Sequence, residues 1–222
     1  SGHIIASALD TVGVLFEDYP AYGTRFSEEE GAGRRRAERL LGMLMKGTAG
    51  IDAGTRQETM YLLGRHVFGS LTLDEQAKCR AFRLTVRRIL DLCAGERVDS
   101  LSFYYRAAML GRLYRFVVEQ ELLHGGIAFD RPRPIAFFPG TFDPFTLSHK
   151  GVVRSIRDAG FEVLLAIDEF SWSKRTQPYR IRREIAAMSV ADEFHVHIFP
   201  EDFPVNIANP KNLKQLREAL PG

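Results

Sequence analysis

The sequence is poor in several features that mark particular classes of protein. Its 222 residues include two cysteines, Cys79 and Cys93, and 30 basic residues nearly cancel 28 acidic ones. Two cysteines without a C-x-x-C motif give little support to a disulfide scaffold or a zinc knuckle. The net charge of +2 argues against the strongly basic profile of histone-like nucleic-acid binders. We therefore expect no metal site and no nucleic-acid partner.

Long apolar runs are also missing. The longest stretches, residues 4–9 and 161–167, are far shorter than the roughly 20 residues needed to cross a bilayer, and the first residues show no basic segment followed by a cleavable apolar core. A cytoplasmic protein that does not bind membranes is the expectation. Because the first residue is Ser and not Met, we also expect a piece of a longer parent chain, in contact with its further domains.

What the sequence does contain first is a series of helix signals. Each of three segments has a Ser or Thr followed three positions later by Glu, the pattern of a capping box; the pairs are Ser27 with Glu30, Thr55 with Glu58, and Thr72 with Glu75. Glycines stand where helical runs stop, at Gly47, Gly69 and Gly125. These signals predict an all-helical domain over residues 1–130, of unknown role.

Two segments of this domain have distinct character. Residues 72–93 alternate apolar and cationic positions and predict an amphipathic helix with a basic side. That side, with Arg34–Arg36 and Arg39, either touches nucleic acid or is a solvated face, and the near-balance of charge in residues 1–131 favours solvation or a contact with another domain. Residues 99–124 are rich in aromatics and predict the central, most buried helix.

The pattern changes at residues 130–134, where Pro132 and Pro134 prevent a helix from continuing. Beyond this point strand and helix patterns alternate: strand 135–138, helix 148–159, strand 162–167, helix 179–190 and strand 194–199. This order is typical of a parallel sheet with helical crossovers. The sequence thus predicts a second domain, of α/β class, over residues 131–222.

The join between the first strand and its helix carries the most informative motif. Residues 138–149 read Phe-Pro-Gly-Thr-Phe-Asp-Pro-Phe-Thr-Leu-Ser-His. This segment resembles the nucleotidyltransferase superfamily, whose members carry G-[TS]-F-[DN]-P-x-[TH]-x-G-H after the first strand of a Rossmann-like sheet. Seven positions match in identity and spacing: Gly140, Thr141, Phe142, Asp143, Pro144, Thr146 and His149. Ser148 stands where the family usually has Gly.

Elementary chemistry supports an anion site at this join. A strand that ends in a glycine turn and feeds a helix directs backbone amides to the carboxyl edge of the sheet, where anions bind. Thr146 and His149 are three apart, so both side chains can face that edge.

The resemblance implies transfer of a nucleotidyl group, most readily adenylyl, from ATP or CTP to a phosphorylated small molecule, with release of pyrophosphate and with Mg²⁺ sharing the phosphate charge. Catalysis would come from positioning and electrostatics. By the same resemblance the catalytic residues are His149, Thr146 and Lys174, and the nucleotide contacts are Gly140, Thr141, Phe142, Asp143, Ser148 and Arg183.

A cationic segment, residues 174–183, follows the second strand. The resembling adenylyltransferases have a Ser-x-x-Lys loop here and then a helix with an Arg near its start. That register makes Lys174 the phosphate contact and Arg183 the helix Arg, with Arg180 and Arg182 as alternates. For Arg175 and Arg182 a solvated helix face is the preferred interpretation.

Two weaker signals stay open. His195 and His197, two apart on one strand, could share a metal, but packed strand histidines are the preferred interpretation because no third ligand is evident. Trp172 and Tyr179 either stack on a base or close over a core.

The resemblance ends short of a complete site. The family's second signature, I-S-S-T-x-x-R or similar, has no match in the chain, and a side chain at Ser148 could narrow the pocket. Two hypotheses follow. One is an adenylyltransferase-type enzyme acting on nicotinate mononucleotide or a similar phosphate, complete only in the parent chain. The other is a non-catalytic nucleotide-binding or interaction module.

Overall fold

The chain folds into two compact units, Ser1–Phe129 and Asp130–Gly222, here named the helical unit and the sheet unit. The boundary predicted from the sequence lies one residue away, and residues 126–134 belong to neither helix nor strand. A computed structural model describes the chain over residues 2–25, 31–94, 100–168, 175–200 and 210–219. No helix within these ranges combines the length and apolar character needed to span a membrane.

The helical unit contains five α-helices in its described residues. They are α1 (Gly2–Arg25), α2 (Ala32–Gly47), α3 (Ala53–Leu63), α4 (Glu75–Ala94) and α5 (Ser100–His124), and α3 continues into a π-helical segment, Gly64–Phe68. Its core is aliphatic, with an aromatic cluster in which Phe68, Phe82 and Phe116 have ring centroids 5.7–6.4 Å apart. The predicted all-helical character of this part is confirmed over the described residues.

Aspartates, and not the predicted threonines, begin two of these helices. The side chain of Asp52 accepts a hydrogen bond from the Thr55 amide at 2.7 Å, and that of Asp74 accepts from the Ala77 amide at 2.7 Å. The capping roles predicted for Thr55 and Thr72 are therefore wrong, because a carboxylate at the helix start accepts the first-turn amides in their place. Ser27 and Glu30 lie outside the described residues.

The aromatic-rich helix α5 is buried on one side alone. Met109, Leu113 and Phe116 belong to the core, whereas Tyr104 and Tyr114 are 68% and 70% exposed. The prediction that this helix is the most buried one is wrong. Its aromatic residues are distributed around the whole circumference, and the neighbouring helices cover only part of it.

The sheet unit is a mixed α/β arrangement with a small parallel sheet. Its elements are β1 (Ile135–Gly140), α6 (Leu147–Asp158), β2 (Glu162–Ile167), α7 (Tyr179–Ser189), β3 (Val196–Ile198) and α8 (Pro210–Ala219). The strand order is β1-β2-β3 with both pairs parallel. The predicted α/β class and the alternation of strands and helices are confirmed, although β3 is shorter than expected.

The sheet core positions the turn after β1. Alternate residues of β2, such as Val163 and Leu165, pack with Val153 of α6 and Ala186 of α7. Gly140, the last residue of β1, pairs with Ile167, the last residue of β2. The carboxyl ends of these strands therefore lie side by side, with the start of α6 just beyond them.

Candidate functional site

The turn between β1 and α6 is shaped by a glycine and a buried aromatic ring. A Cβ atom at Gly140 would lie 2.8 Å from the ring of Phe142, so no larger residue fits without displacing it. Phe142 has a φ of 45° and is 5% exposed, and its ring packs on Phe138 and Phe145 with centroids 5.4 and 5.3 Å away. Because the left-handed region is costly for a residue with a side chain, this packing holds the turn in its conformation.

Thr146 and His149 form the cap of α6. Thr146 is the residue before the helix, and its backbone amide donates to Nδ1 of His149 at 3.0 Å. The threonine hydroxyl lies 3.0 Å from the same nitrogen and accepts from the His149 amide at 3.5 Å. Since a backbone N–H can only donate, Nδ1 is the acceptor, and in the neutral ring the proton is on Nε2.

The imidazole of His149 is also fixed by aromatic contacts. Its ring centroid lies 5.2 Å from that of Phe142, edge to face, and 5.4 Å from that of Phe145. His149 is half-buried, and Nε2 has no hydrogen-bond partner among the residues that the structure describes. The turn therefore holds one imidazole N–H in a defined orientation with its donor unused by the described part of the chain.

Arg182 of α7 ties this turn to the rest of the carboxyl edge. Its guanidinium is fully buried and donates to the carbonyls of Thr141, after β1, and of Asp168, after β2; the latter distance is 2.9 Å. Nε donates to the Gln177 carbonyl at 2.9 Å. The solvated face predicted for Arg182 is wrong, because three carbonyls from separate segments converge on it.

The helical period of α7 carried the signal for Arg182. Tyr179, Arg182 and Ala186 are spaced three and four residues apart, so they share one face of the helix. Ala186 is fully buried, and the Arg182 guanidinium carbon lies 5.9 Å from the centre of the Tyr179 ring. The segment contains many cations, and charged residues are usually exposed to solvent, so the helical spacing of Arg182 was overlooked.

The remaining predicted residues have different surroundings. Asp143 accepts a hydrogen bond from the Gln177 amide at 3.0 Å, so its carboxylate joins the turn to the approach to α7. Ser148 is exposed in the first turn of α6. Arg183 donates to the carbonyl of Phe199, just after β3, at 2.7 Å. The structure thus brings Gly140, Thr141, Phe142, Asp143, Thr146, Ser148 and His149 together in one turn, and holds Arg183 at β3.

Part of the cationic segment lies beyond what the structure describes. Lys174 and Trp172 are outside the described residues, so their predictions stay predictions. Arg175 is exposed, as expected, and Arg180 is exposed and pairs with Glu184 at 3.2 Å. These two side chains place positive charge on the surface at the start of α7.

The strand histidines share a carboxylate. Glu162, at the start of β2, accepts from Nδ1 of His195 at 3.1 Å and contacts Nε2 of His197. The hydrogen bonds from His195 and His197 outweigh burial and hold the pKa of Glu162 far below its usual value. Among the described residues no group of three or more His, Cys, Asp and Glu side chains could hold a metal ion, and this pair is explained by its contact with Glu162.

Comparisons with known proteins add no family to this geometry. No family model, no curated protein and no solved structure matches the chain. The features that bear on function are the turn itself, the orientation of His149 and the charges near the carboxyl edge of the sheet.

Proposed function

We propose that the sheet unit is a nucleotidyltransferase domain that binds a nucleoside triphosphate at the turn between β1 and α6. The observation that carries the proposal is the hydrogen bond from the Thr146 amide to Nδ1 of His149, 3.0 Å long, at the start of a helix. It fixes a donor, Nε2–H, at the start of a helix, a position that favours negative charge.

Three kinds of donor favour a phosphate group at this place. The first backbone amides of α6, at Leu147 and Ser148, have no acceptor within the helix. The positive end of the helix dipole attracts negative charge. Nε2–H of His149 supplies a side-chain donor of fixed direction. Thr146 and Ser148 are exposed, so a ligand can reach this end of the helix.

The same donors suit direct phosphoryl chemistry. An oxygen of the acceptor phosphate attacks the α-phosphorus of the triphosphate, a new P–O bond forms, and the bond to the β-phosphate breaks as pyrophosphate leaves. Negative charge accumulates on the α-phosphate oxygens during this step, and a donor fixed in advance stabilises it. His149 acts as that donor and forms no covalent intermediate.

Charge at the carboxyl edge supports a phosphorylated acceptor. Arg175 and Arg180 are exposed at the start of α7, and Lys174 precedes them in the sequence. Such a cluster attracts a phosphomonoester electrostatically. Nicotinate mononucleotide is the acceptor that the sequence resemblance favours.

The residues present are compatible with Mg²⁺ that arrives on the nucleotide. Mg²⁺ usually keeps several waters and binds through substrate phosphates with one or two carboxylates. Asp143 is the carboxylate of the turn; its Oδ2 accepts from the Gln177 amide, and the exposed carboxylate has further lone pairs able to take part. When bound, the ion would share the charge of the phosphates.

The test is pyrophosphate release by the full chain with ATP or CTP and a set of phosphomonoesters that includes nicotinate mononucleotide. His149→Ala should lower kcat/KM about 100-fold or more, the usual effect of removing one fixed donor. The matched control is His124→Ala, since His124 is an exposed histidine at the end of α5 in the helical unit; it should leave the rate unchanged.

Calorimetric titration separates the alternative, a non-catalytic nucleotide-binding module. Nucleotide binding that His149→Ala weakens, without pyrophosphate release, favours that module over the enzyme. No binding of ATP or CTP, or full activity of His149→Ala, contradicts the proposal.

A further inference from the structure

One face of α5 is apolar and is not covered by the other helices of the helical unit. Phe103, Tyr104, Tyr114 and Leu122 are 58–76% exposed, and the residues between them on the same side, Ala107, Ala108 and Gly111, are exposed as well. We refer to these seven residues as the α5 outer face. The helix buries Met109, Leu113 and Phe116 on its opposite side. It therefore has more apolar surface than the other helices of the helical unit cover.

The composition of the α5 outer face is that of an interface centre and not of a solvated surface. Interface cores are enriched in Tyr and Phe and depleted in charged residues. Arg115 is the charged residue next to this face, and its Nε donates to the Gly111 carbonyl at 3.4 Å, so its guanidinium borders the middle of the face. Single exposed apolar residues are ordinary, but a continuous patch along a helix marks an interaction site.

Gly111 lies in the middle of this face, and no residue that the structure describes requires a glycine there. A Cβ atom at Gly111 would meet nothing within 4 Å, so a side chain would have open space. Glycine weakens a helix interior relative to alanine. Small residues on a helix allow a second helix to approach closely, and Ala107 and Ala108 extend the small surface by one turn.

We infer that the α5 outer face joins two copies of this chain in an antiparallel pair of α5 helices, with Gly111 of one copy against Gly111 of the other. This inference concerns the helical unit and does not depend on the proposed nucleotidyltransferase activity.

Residue spacing makes the α5 outer face complementary to itself. In an antiparallel pair centred on Gly111, Ala108 of one copy lies opposite Tyr114 of the other, and Tyr104 lies opposite Val118. Both tyrosine rings thus meet a smaller residue of the other helix. A two-fold interface uses the same patch on both copies, and this face meets that requirement because its small residues are central and its large ones flank them.

The area also suits a dimer of moderate affinity. Aromatic side chains bury about 150–250 Å² each, so the exposed parts of Phe103, Tyr104, Tyr114 and Leu122 amount to roughly 500 Å² per copy. Two copies would bury about 1,000 Å² from these residues, the lower limit for a specific interface. The dimer should therefore dissociate on dilution.

Analytical ultracentrifugation of the full chain tests this inference. The wild-type chain should sediment with twice the 25.1 kDa monomer mass at high concentration, with dissociation in the micromolar range. Gly111→Glu should weaken the dimer about tenfold or more, because two like charges then face each other. Its circular dichroism should match the wild type, since glutamate favours a helix and has space there.

A charge pair gives the sharpest form of the test. Gly111→Lys should also be monomeric, and an equimolar mixture of Gly111→Glu and Gly111→Lys should dimerise again, because position 111 faces position 111. The matched control is Leu71→Glu, since Leu71 is 99% exposed outside α5; it should dimerise like the wild type. A wild-type monomer at every concentration, or an unchanged dimer in Gly111→Glu, overturns the inference.

Discussion

At the scale of single residues, the chemistry of the turn depends on which nitrogen of His149 accepts. Thr146 belongs to the helix cap, and its amide would be one of the unpaired donors before α6. Here that amide donates to the imidazole, so one hydrogen bond both completes the cap and orients the ring. The opposite nitrogen, Nε2, then carries the proton of the neutral ring and can donate it to a ligand in a hydrogen bond.

Arg182 is the other residue on which the site depends. Its buried guanidinium supplies donors to three carbonyls, those of Thr141, Asp168 and Gln177. A buried charge destabilises the fold unless it is hydrogen-bonded, and buried carbonyls destabilise it if they lose their donor. The carboxyl ends of two strands and the approach to α7 are thus held together by one side chain.

We predict that Arg182→Met lowers the free energy of unfolding of the sheet unit by about 3 kcal/mol or more, because several buried carbonyls lose their donor. Arg182→Lys should recover only part of this loss, since an ammonium cannot span three acceptors. Arg180→Met is the control: Arg180 makes an exposed pair with Glu184 and should change stability by less than about 0.5 kcal/mol. Urea unfolding measures all three variants, and equal effects of Arg182→Met and Arg180→Met would contradict the role given to Arg182.

At the scale of secondary-structure elements, α6 is fixed to the segment after α7 by a charged cluster. Lys150 contacts Asp192 at 2.6 Å and Glu193 at 3.2 Å, and Arg154 contacts Glu193 at 2.6 Å. Burial raises the pKa of Glu193, but hydrogen bonds from Arg154 and Lys150 outweigh it, and the net pKa is lowered. The helix that carries His149 is therefore positioned in part by this carboxylate.

The lowered pKa of Glu193 determines how its contribution to stability changes with pH. A carboxylate with a lowered pKa in the folded state stabilises the fold above its unfolded pKa, near 4.5, and loses that contribution as the pH falls through the folded pKa. Glu193→Gln should therefore cost about 3 kcal/mol at neutral pH, and the difference from the wild type should shrink below pH 4.5.

Urea unfolding at a series of pH values measures this difference. Glu184→Gln, at an exposed carboxylate on α7, is the control and should show little change at any pH. A difference between Glu193→Gln and the wild type that stays constant from neutral to acid pH would contradict the assignment.

The sequence predicts an element well when the interactions that form it join residues close together in the chain. The bounds of β2 follow from the sequence alone, because an apolar run lies between Gly160 and Asp168. The turn that contains His149 follows from its motif, since its hydrogen bonds join residues three apart. The roles of Asp52 and Asp74 were missed because several neighbouring residues can cap a helix, and the choice depends on the chain path. The helical period of α7 indicates which face of the helix Arg182 occupies, but its carbonyl acceptors lie up to 41 residues away, and no local pattern identifies them.

At the scale of the whole molecule, each of the two units has its own core. The helical unit is built around an aromatic and aliphatic cluster that includes Phe68, Phe82 and Phe116. The sheet unit is built around Val153, Val163 and their neighbours. Units with separate cores can unfold separately.

Two probes can follow the units independently. Val163 and Leu165 are buried in β2 of the sheet unit, so their amide NMR signals report its unfolding, whereas helix circular dichroism comes mainly from the helical unit. We predict that Arg182→Met shifts the urea midpoint of these amide signals to lower concentration and leaves most of the circular dichroism transition in place. Equal shifts of both probes would mean that the chain unfolds as one cooperative body.

The most direct measurement is nitrogen NMR of the His149 imidazole, assigned by its absence from the His149→Gln variant. In the free protein the neutral ring should be the Nε2–H tautomer, because the Thr146 amide occupies Nδ1. Addition of ATP or CTP should then shift the Nε2 resonance as this donor meets a phosphate oxygen. An Nδ1–H tautomer, or an Nε2 resonance that neither nucleotide moves at saturating concentration, would contradict the account.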